Sequence, residues 1–255
     1  MTDQSLQPES KENMTFIEHL IELRDCLKKA ALSVVVGMCL CWGISDRIFD
    51  IIRKPIQPYL QGGGLIFTGP LDKFLAHIRI SLVCGVIISC PFWLYQVWRF
   101  ISPALYKNEK RIVSGFVVAG TIQFLIGAAF CYFVIFPGAF EFLMAFGGTV
   151  DKPMITIAQY LDFFTQTILI FGLTFEVPVV LAFLGLIGII SSRFLKEKRR
   201  YAIVINAVVA AIAAPPDVLS MMLLLIPLAI MYEISIWVIV YFEKKKIEKM
   251  QSLNF

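Results

Sequence analysis

Five acids in this sequence sit where a carboxylate has chemistry open to it. Glu22 lies in H-L-I-E-L-R, His19 to Arg24. On a helix its neighbours three and four residues on are Asp25 and Cys26, with Glu18 one turn before, so it has no local cation. That pattern fits either a solvated polar face or a cation-binding group. Glu109 closes the stretch Y-Q-V-W-R-F-I-S-P-A-L-Y-K-N-E-K-R, Tyr95 to Arg111, as the single acid among Lys107, Lys110 and Arg111. With Asn108 as N-cap it falls in the first turn of the next helix. There the helix dipole favours an acid by roughly 0.3–1 kcal/mol, and that alone accounts for it. Taken together, Glu22 and Glu109 belong at the ends of two helices on one membrane surface. Each could hold an arginine through a charge-assisted, often bidentate contact of roughly 1.5–3 kcal/mol. Lysine cannot reproduce that fork, so such a site separates an Arg-Arg pair from Lys-Lys.

Glu176 stands inside a long apolar run, beside Val177-Pro178. An acid at that depth faces a polar cavity or the bundle interior, or makes a proton-bearing structural hydrogen bond at the proline bend. Glu233 has the same alternatives. Asp217, after Pro215-Pro216, reads as the N-cap of the last helix.

Other chemistry finds no residues to carry it. There is no H-E-x-x-H, no nucleophile elbow and no Walker loop, so no catalytic residues, metal site or cofactor are expected. The six cysteines lie in or beside apolar runs, away from His19 and His77, and read as small packing residues.

The elements that must position these acids are helices in a membrane. The chain is 58% hydrophobic and 16% charged, which excludes an ordinary soluble domain. Residues 1–14 are expected to be a disordered cytoplasmic tail, polar and without the look of a cleaved signal. Thr15 with Glu18 makes a capping box. From Phe16 to Lys29 the apolar residues Phe16, Leu20, Leu23 and Leu27 take one helical face, and Glu18, Glu22, Asp25 and Lys29 another. The membrane domain, 15–242, then has six spans at about 30–45, 75–101, 112–136, 160–190, 201–214 and 218–242, followed by a basic tail, 243–255. Pro91 and Pro178 predict bends in the second and fourth spans. The fourth, 31 residues, exceeds the roughly 20 residues a bilayer needs. The first connection, Asp46 to Asp72, carries Ile48, Phe49, Ile51 and Ile52 before Pro55 and Pro58, and is expected to pack over one end of the bundle.

Lysine and arginine placement sets the orientation. With both termini inside, 17 cations lie on the inner segments and five, Arg47, Arg53, Lys54, Lys73 and Lys152, on the outer ones. Both termini are therefore expected in the cytoplasm.

Nearly the whole chain resembles the TatC family, the multispanning subunits of the twin-arginine protein translocase. The resemblance rests on His19 to Arg24, Tyr95 to Arg111, F-E-V-P at Phe175 to Pro178, P-P-D at Pro215 to Asp217, and I-P-L with Y-E-I-S between Ile226 and Ser235. It implies an all-α, polytopic, glove-shaped bundle of six transmembrane helices in a bacterial inner membrane. Its implied function is to receive the signal peptides of folded export substrates in transport driven by the proton-motive force. By the same resemblance Glu22 and Glu109 hold the paired arginines, supported by Arg24, Phe100 and Lys107. Glu176 lies within the concave face, and Pro55 belongs to the cap on the opposite side. TatA- and TatB-type single-span proteins are the implied partners, at the fifth and sixth helices, with further copies of the chain itself. One departure is Met221, where the family often has glutamine; a partner contact made through that glutamine must differ here. The runner-up reading is a channel or proton-coupled small-molecule transporter using Glu176. A structural scaffold would leave Glu22 and Glu109 replaceable.

Overall fold

The computed structural model describes residues 16–60, 64–101, 110–145, 154–213 and 218–253. Thr15, Lys107, Asn108, Glu109 and Asp217 lie outside these residues. Within them the chain is helical: α1 (Phe16–Trp42), α2 (Ser45–Ile52), α3 (Asp72–Ile88), α4 (Cys90–Ile101), α5 (Lys110–Phe130), α6 (Phe136–Ala145), α7 (Ile157–Phe175), α8 (Val177–Leu186), α9 (Ser192–Glu197), α10 (Arg199–Ala213) and α11 (Val218–Leu253). A π-helical turn, Cys131–Ile135, joins α5 to α6.

Three stretches are long and apolar enough to cross a bilayer: Ser114–Ala145, Ile157–Leu186 and Leu224–Lys245. Two more arise from bent pairs, α1 with α2 at 90° and α3 with α4 at 58°. The 15 residues of α10 rise only about 22 Å and give the shortest crossing. The result is an all-α membrane bundle of six crossings. The bend between α3 and α4 falls at Ser89, just before Pro91; the break between α7 and α8 falls at Glu176, just before Pro178. In both, proline takes an early helical position, where its missing N–H costs least. The first helix is continuous from Phe16 to Trp42, because no proline falls within it and its glycine, Gly37, lies deep in the apolar half.

In lipid the tails are as apolar as leucine, so helices associate through close packing around small residues. A Cβ on Gly85 of α3 would meet Met38 N of α1 at 2.5 Å, and one on Gly37 would meet Gly85 O at 2.7 Å. Between α5 and α7 a Cβ on Gly127 or Gly172 would strike Phe175 or Phe124 at 2.8 and 2.6 Å. Aromatic rings fill what remains: Phe136, Phe140, Tyr160, Phe164 and Phe171 are all buried in one core.

The bundle has two unlike ends. At one, α1 begins, α4 ends, α5 begins and α8 ends; Arg24, Lys28, Lys29 and Arg99 lie there with Arg193, Lys196, Lys198, Arg199, Arg200, Lys244 and Lys245, and it is termed the cation-rich end. The other is capped. There α2 turns across the bundle, and Ile52 and Ile56 behind it are buried, with Pro55 half-buried in the turn between them. Tyr132 donates its hydroxyl hydrogen to Ile51 O at 2.8 Å, and buried Tyr160 donates to Ile52 O. Ile66 pairs with the chain before α7: its N–H reaches Ile155 O at 3.0 Å and its carbonyl accepts from Ile157 N at 2.8 Å. Thr156 then caps α7, accepting from Gln159 N at 3.2 Å with the reciprocal bond from its own N–H to the Gln159 side chain.

Candidate functional site

At the cation-rich end, α1 packs on α4, and Glu18, Ile21, Glu22, Asp25, Cys26, Lys29 and Arg99 line a cleft of about 290 Å³. The polar face read from sequence, Glu18, Glu22, Asp25 and Lys29, forms one wall because those residues recur at helical spacing. Arg99, in the last turn of α4, comes from across the cleft. Glu22 is half-buried, and its Oε2 is shut from solvent with no hydrogen-bond partner among the described residues. A carboxylate oxygen in that state is held short of a donor, and such groups call for one. The cleft is open enough for a cationic side chain to supply it.

Phe100, next to Arg99, stacks on His19 with ring centroids 4.5 Å apart and planes at 20°, which pins α4 to the start of α1 beside Glu22. Arg24 stands on the exposed side, its Nε donating to Asp25 Oδ1 at 3.3 Å. So the structure brings Glu22 and Phe100 to one junction, while Arg24 does not line the cleft. Glu109 and Lys107 lie outside the described residues, between the end of α4 and the start of α5. The sequence did not disclose Arg99 or Cys26 as lining residues: Arg99 reaches the cleft only through the packing of α4 on α1, which no local spacing encodes. Among the described residues no group of histidine, cysteine and carboxylate side chains is arranged for a metal ion.

Glu176 is a second, separate feature. It ends α7 and begins α8, is buried, and has both carboxylate oxygens without a hydrogen-bond partner among the described residues. Room for it comes from Gly120 on α5, where a Cβ would stand 2.8 Å from Oε2. One turn from Gly120 along α5, toward the cation-rich end, Phe116 packs with Trp98 and Phe183 at centroid distances of 5.2 Å each. This aromatic cluster stands between Glu176 and the end where Glu22 lies.

Glu233 differs from Glu176. Arg199 Nη2 donates to its Oε2 at 2.8 Å, and both side chains are about half exposed. It lies on an open apolar groove of about 550 Å³ along α11, with Ile226, Ile230, Ile234 and Trp237. Met221, further up α11, is half-buried against the main core.

Residues 18–227 match the family model described as Sec-independent protein translocase protein (TatC). A Sec-independent protein translocase protein TatC from Desulforapulum autotrophicum is 40% identical over 237 residues, covering 92% of this chain and 88% of that one. The TatC protein of Helicobacter pylori is 39% identical over 218 residues, 86% of this chain and 84% of its own. Among solved structures, a crystal structure of a twin-arginine translocase receptor, TatC, in DDM superposes with a TM-score of 0.80 at 38% identity. It covers 87% of this chain and 99% of that one.

Proposed function

The chain belongs to the TatC family of Sec-independent protein translocase proteins, and on that premise we propose that it receives twin-arginine signal peptides at the cleft beside Glu22. It is a component of a protein translocase in a membrane. The observation carrying the finer reading is the buried Oε2 of Glu22, which has no hydrogen-bond partner among the described residues, in a cleft that opens at the junction of α1 and α4. An entering guanidinium would supply the missing donors. Glu109 and Lys107 extend the site on the ground of their motif alone, Glu109 as the second carboxylate for the arginine pair. Phe100 holds α4 in place through His19, and Arg24 acts from the rim by holding Asp25.

The cation-rich end is the cytoplasmic one, supported by 17 cations against five, so both termini face the cytoplasm and the membrane is a bacterial inner membrane. The groove on α11 beside Glu233 is the docking surface for TatA- and TatB-type single-span helices; its exposed apolar side chains, Trp237 foremost, support that role. Transport is powered by the proton-motive force, and the chain itself performs no catalysis. A proton-coupled small-molecule transporter is not favoured, since the family is one of protein translocases.

The test is binding of a fluorescent signal peptide to the purified protein. The Arg-Arg peptide is expected to bind at least about tenfold tighter than its Lys-Lys version, a difference of about 1.4 kcal/mol. Glu22→Gln should erase that preference, as should Glu109→Gln. Equal binding of both peptides to the parent, or parent-like preference in both variants, would remove the cleft from the reading.

A further inference from the structure

The structure assigns a second binding surface, distinct from the Glu22 cleft: a rigid cationic turn between α8 and α10, with the end of α11, that holds the phosphate headgroup of an anionic lipid. The turn begins where Gly188, at φ +82°, reverses the chain after α8, a conformation that disfavours any side chain. Ser191 caps the short α9, accepting from Phe194 N at 3.2 Å. Within eight residues stand Arg193, Lys196, Lys198, Arg199 and Arg200, and Lys244 and Lys245 follow on α11.

What separates this turn from a mere topology signal is how it is held. Tyr232 donates to Leu195 O at 2.9 Å; Glu243 accepts from Ser192 N at 2.8 Å and from its hydroxyl. Leu195 is buried against Ile236 and Ile239 of α11. A topology signal needs only the number of cations on one side. It does not need them mounted on a fixed frame.

The same bonds decide which charges stay available. Each of the three described carboxylates between 191 and 245 is already engaged: Glu197 with Arg193, Glu233 with Arg199, and Glu243 with Ser192. Lys196, Lys198 and Arg200 have no carboxylate within ion-pair distance among the described residues. Lys198 and Arg200 both lie over the ring of Tyr201, each 5.1 Å from its centroid, which sets two cations at one half-exposed ring. Phe194, also half exposed, lies under Lys198 at 5.9 Å. Tyrosine and phenylalanine beside lysine and arginine at a helix end are the composition of a membrane interface. A phosphate there meets several cations at once, as basic pockets beside membrane helices do. The ring positions favour a lipid over free phosphate, because the acyl chains continue along the exposed Ile203 and Val204 of α10.

The test is native mass spectrometry of the full-length protein in detergent with added phosphatidylglycerol or phosphatidylcholine. Phosphatidylglycerol is expected to be retained at least tenfold more strongly. The triple variant Lys196→Gln, Lys198→Gln, Arg200→Gln should lose at least tenfold of that preference. Lys196→Arg with Lys198→Arg should keep it, as should a control removing equal charge at the capped end, Arg47→Gln, Lys54→Gln, Lys73→Gln. Millimolar glycerol phosphate should leave the lipid bound. The assignment is overturned if the parent retains both lipids alike, if the triple glutamine variant matches the parent, or if the capped-end control loses as much. Displacement by glycerol phosphate would overturn the lipid as the ligand.

Discussion

The capped end and the junction of α1 with α4 are built from neighbouring helices and treat polar groups in opposite ways. At the capped end, Tyr132 and Tyr160 reach the last carbonyls of α2, Thr156 caps α7, and Asp72 accepts from Thr68 and Gly69. Arg79 pairs there with Asp162. Buried side-chain atoms without a partner occur elsewhere among the described residues. Glu22, Gln96, Trp98 and Glu176 carry most of them, along α1, α4 and the α7–α8 break; Ser81 and Asn206 lie in helix interiors. A closed end needs its buried backbone groups satisfied internally, since the cap shuts water from them. An end that receives a partner keeps donors and acceptors unmet until the partner arrives. Mutations should therefore separate into those that cost stability and those that cost binding, according to the end they touch.

The largest effect is expected where one helix serves both ends. Gly85→Val places side-chain atoms against the α1 backbone at Met38, where nothing flexible can give way. Overpacking of this kind costs about 3 kcal/mol or more when the neighbour is backbone. The thermal midpoint in detergent should fall sharply, and signal-peptide binding should fall with it, because α1 also carries Glu22. A variant that melts lower yet binds the peptide as the parent does would show that the cleft holds without the α1–α3 crossing.

The next pair sets the ends directly against each other. Tyr160→Phe leaves Ile52 O without its donor in a buried place and should cost about 1–2 kcal/mol by thermal unfolding. Its Arg-Arg preference should stay unchanged. Glu22→Gln should do the reverse, shifting stability by no more than about 0.5 kcal/mol while abolishing the preference. If Tyr160→Phe altered peptide discrimination, the two ends would be coupled, not divided. Glu176→Leu comes third. Removing a buried carboxylate whose oxygens lack donors among the described residues should leave stability equal or raise it by about 1 kcal/mol. A clear drop would mean that Glu176 has a partner in the resting fold.

Much of this was legible in the sequence, for physical reasons that can be named. Long apolar runs predict helices because every backbone group must be bonded within its own segment in lipid. Pro178 marks the break at Glu176, and Pro91 the bend at Ser89, because proline removes one bond from the ladder. The wall of the cleft was readable from the recurrence of Glu18, Glu22, Asp25 and Lys29. What was not readable depends on partners far apart in the chain. Tyr160 meets Ile52 across 108 residues, and Arg99 meets the cleft only once α4 lies on α1. Glu233 and Glu176 looked alike as acids in apolar runs. One stands half exposed against Arg199 and the other buried, a difference set by whether the α9–α10 turn or α5 lies opposite.

The smallest predicted effect is local and tests whether the capped end is held by its polar ties. Asp72 accepts from Thr68 N at 2.8 Å, Thr68 Oγ1 at 3.0 Å and Gly69 N at 2.8 Å. These bonds favour the ionised form and hold its carboxyl below the ordinary range, the two backbone donors counting most. A carboxyl lowered in the fold stabilises the turn fully above its unfolded value. That contribution is lost as the pH falls through the lower folded one. Hydrogen exchange at the Thr68 and Gly69 amides, corrected for intrinsic rates, should therefore stay protected from neutral pH down to the ordinary aspartate range and loosen below it. Asp72→Asn should show the loosened rate at every pH, with little change in the global melting temperature, because the group is exposed. Protection in Asp72→Asn equal to the parent would mean that the pairing of Ile66 with the start of α7 holds this turn by itself, and that the capped end owes its closure to backbone bonds alone.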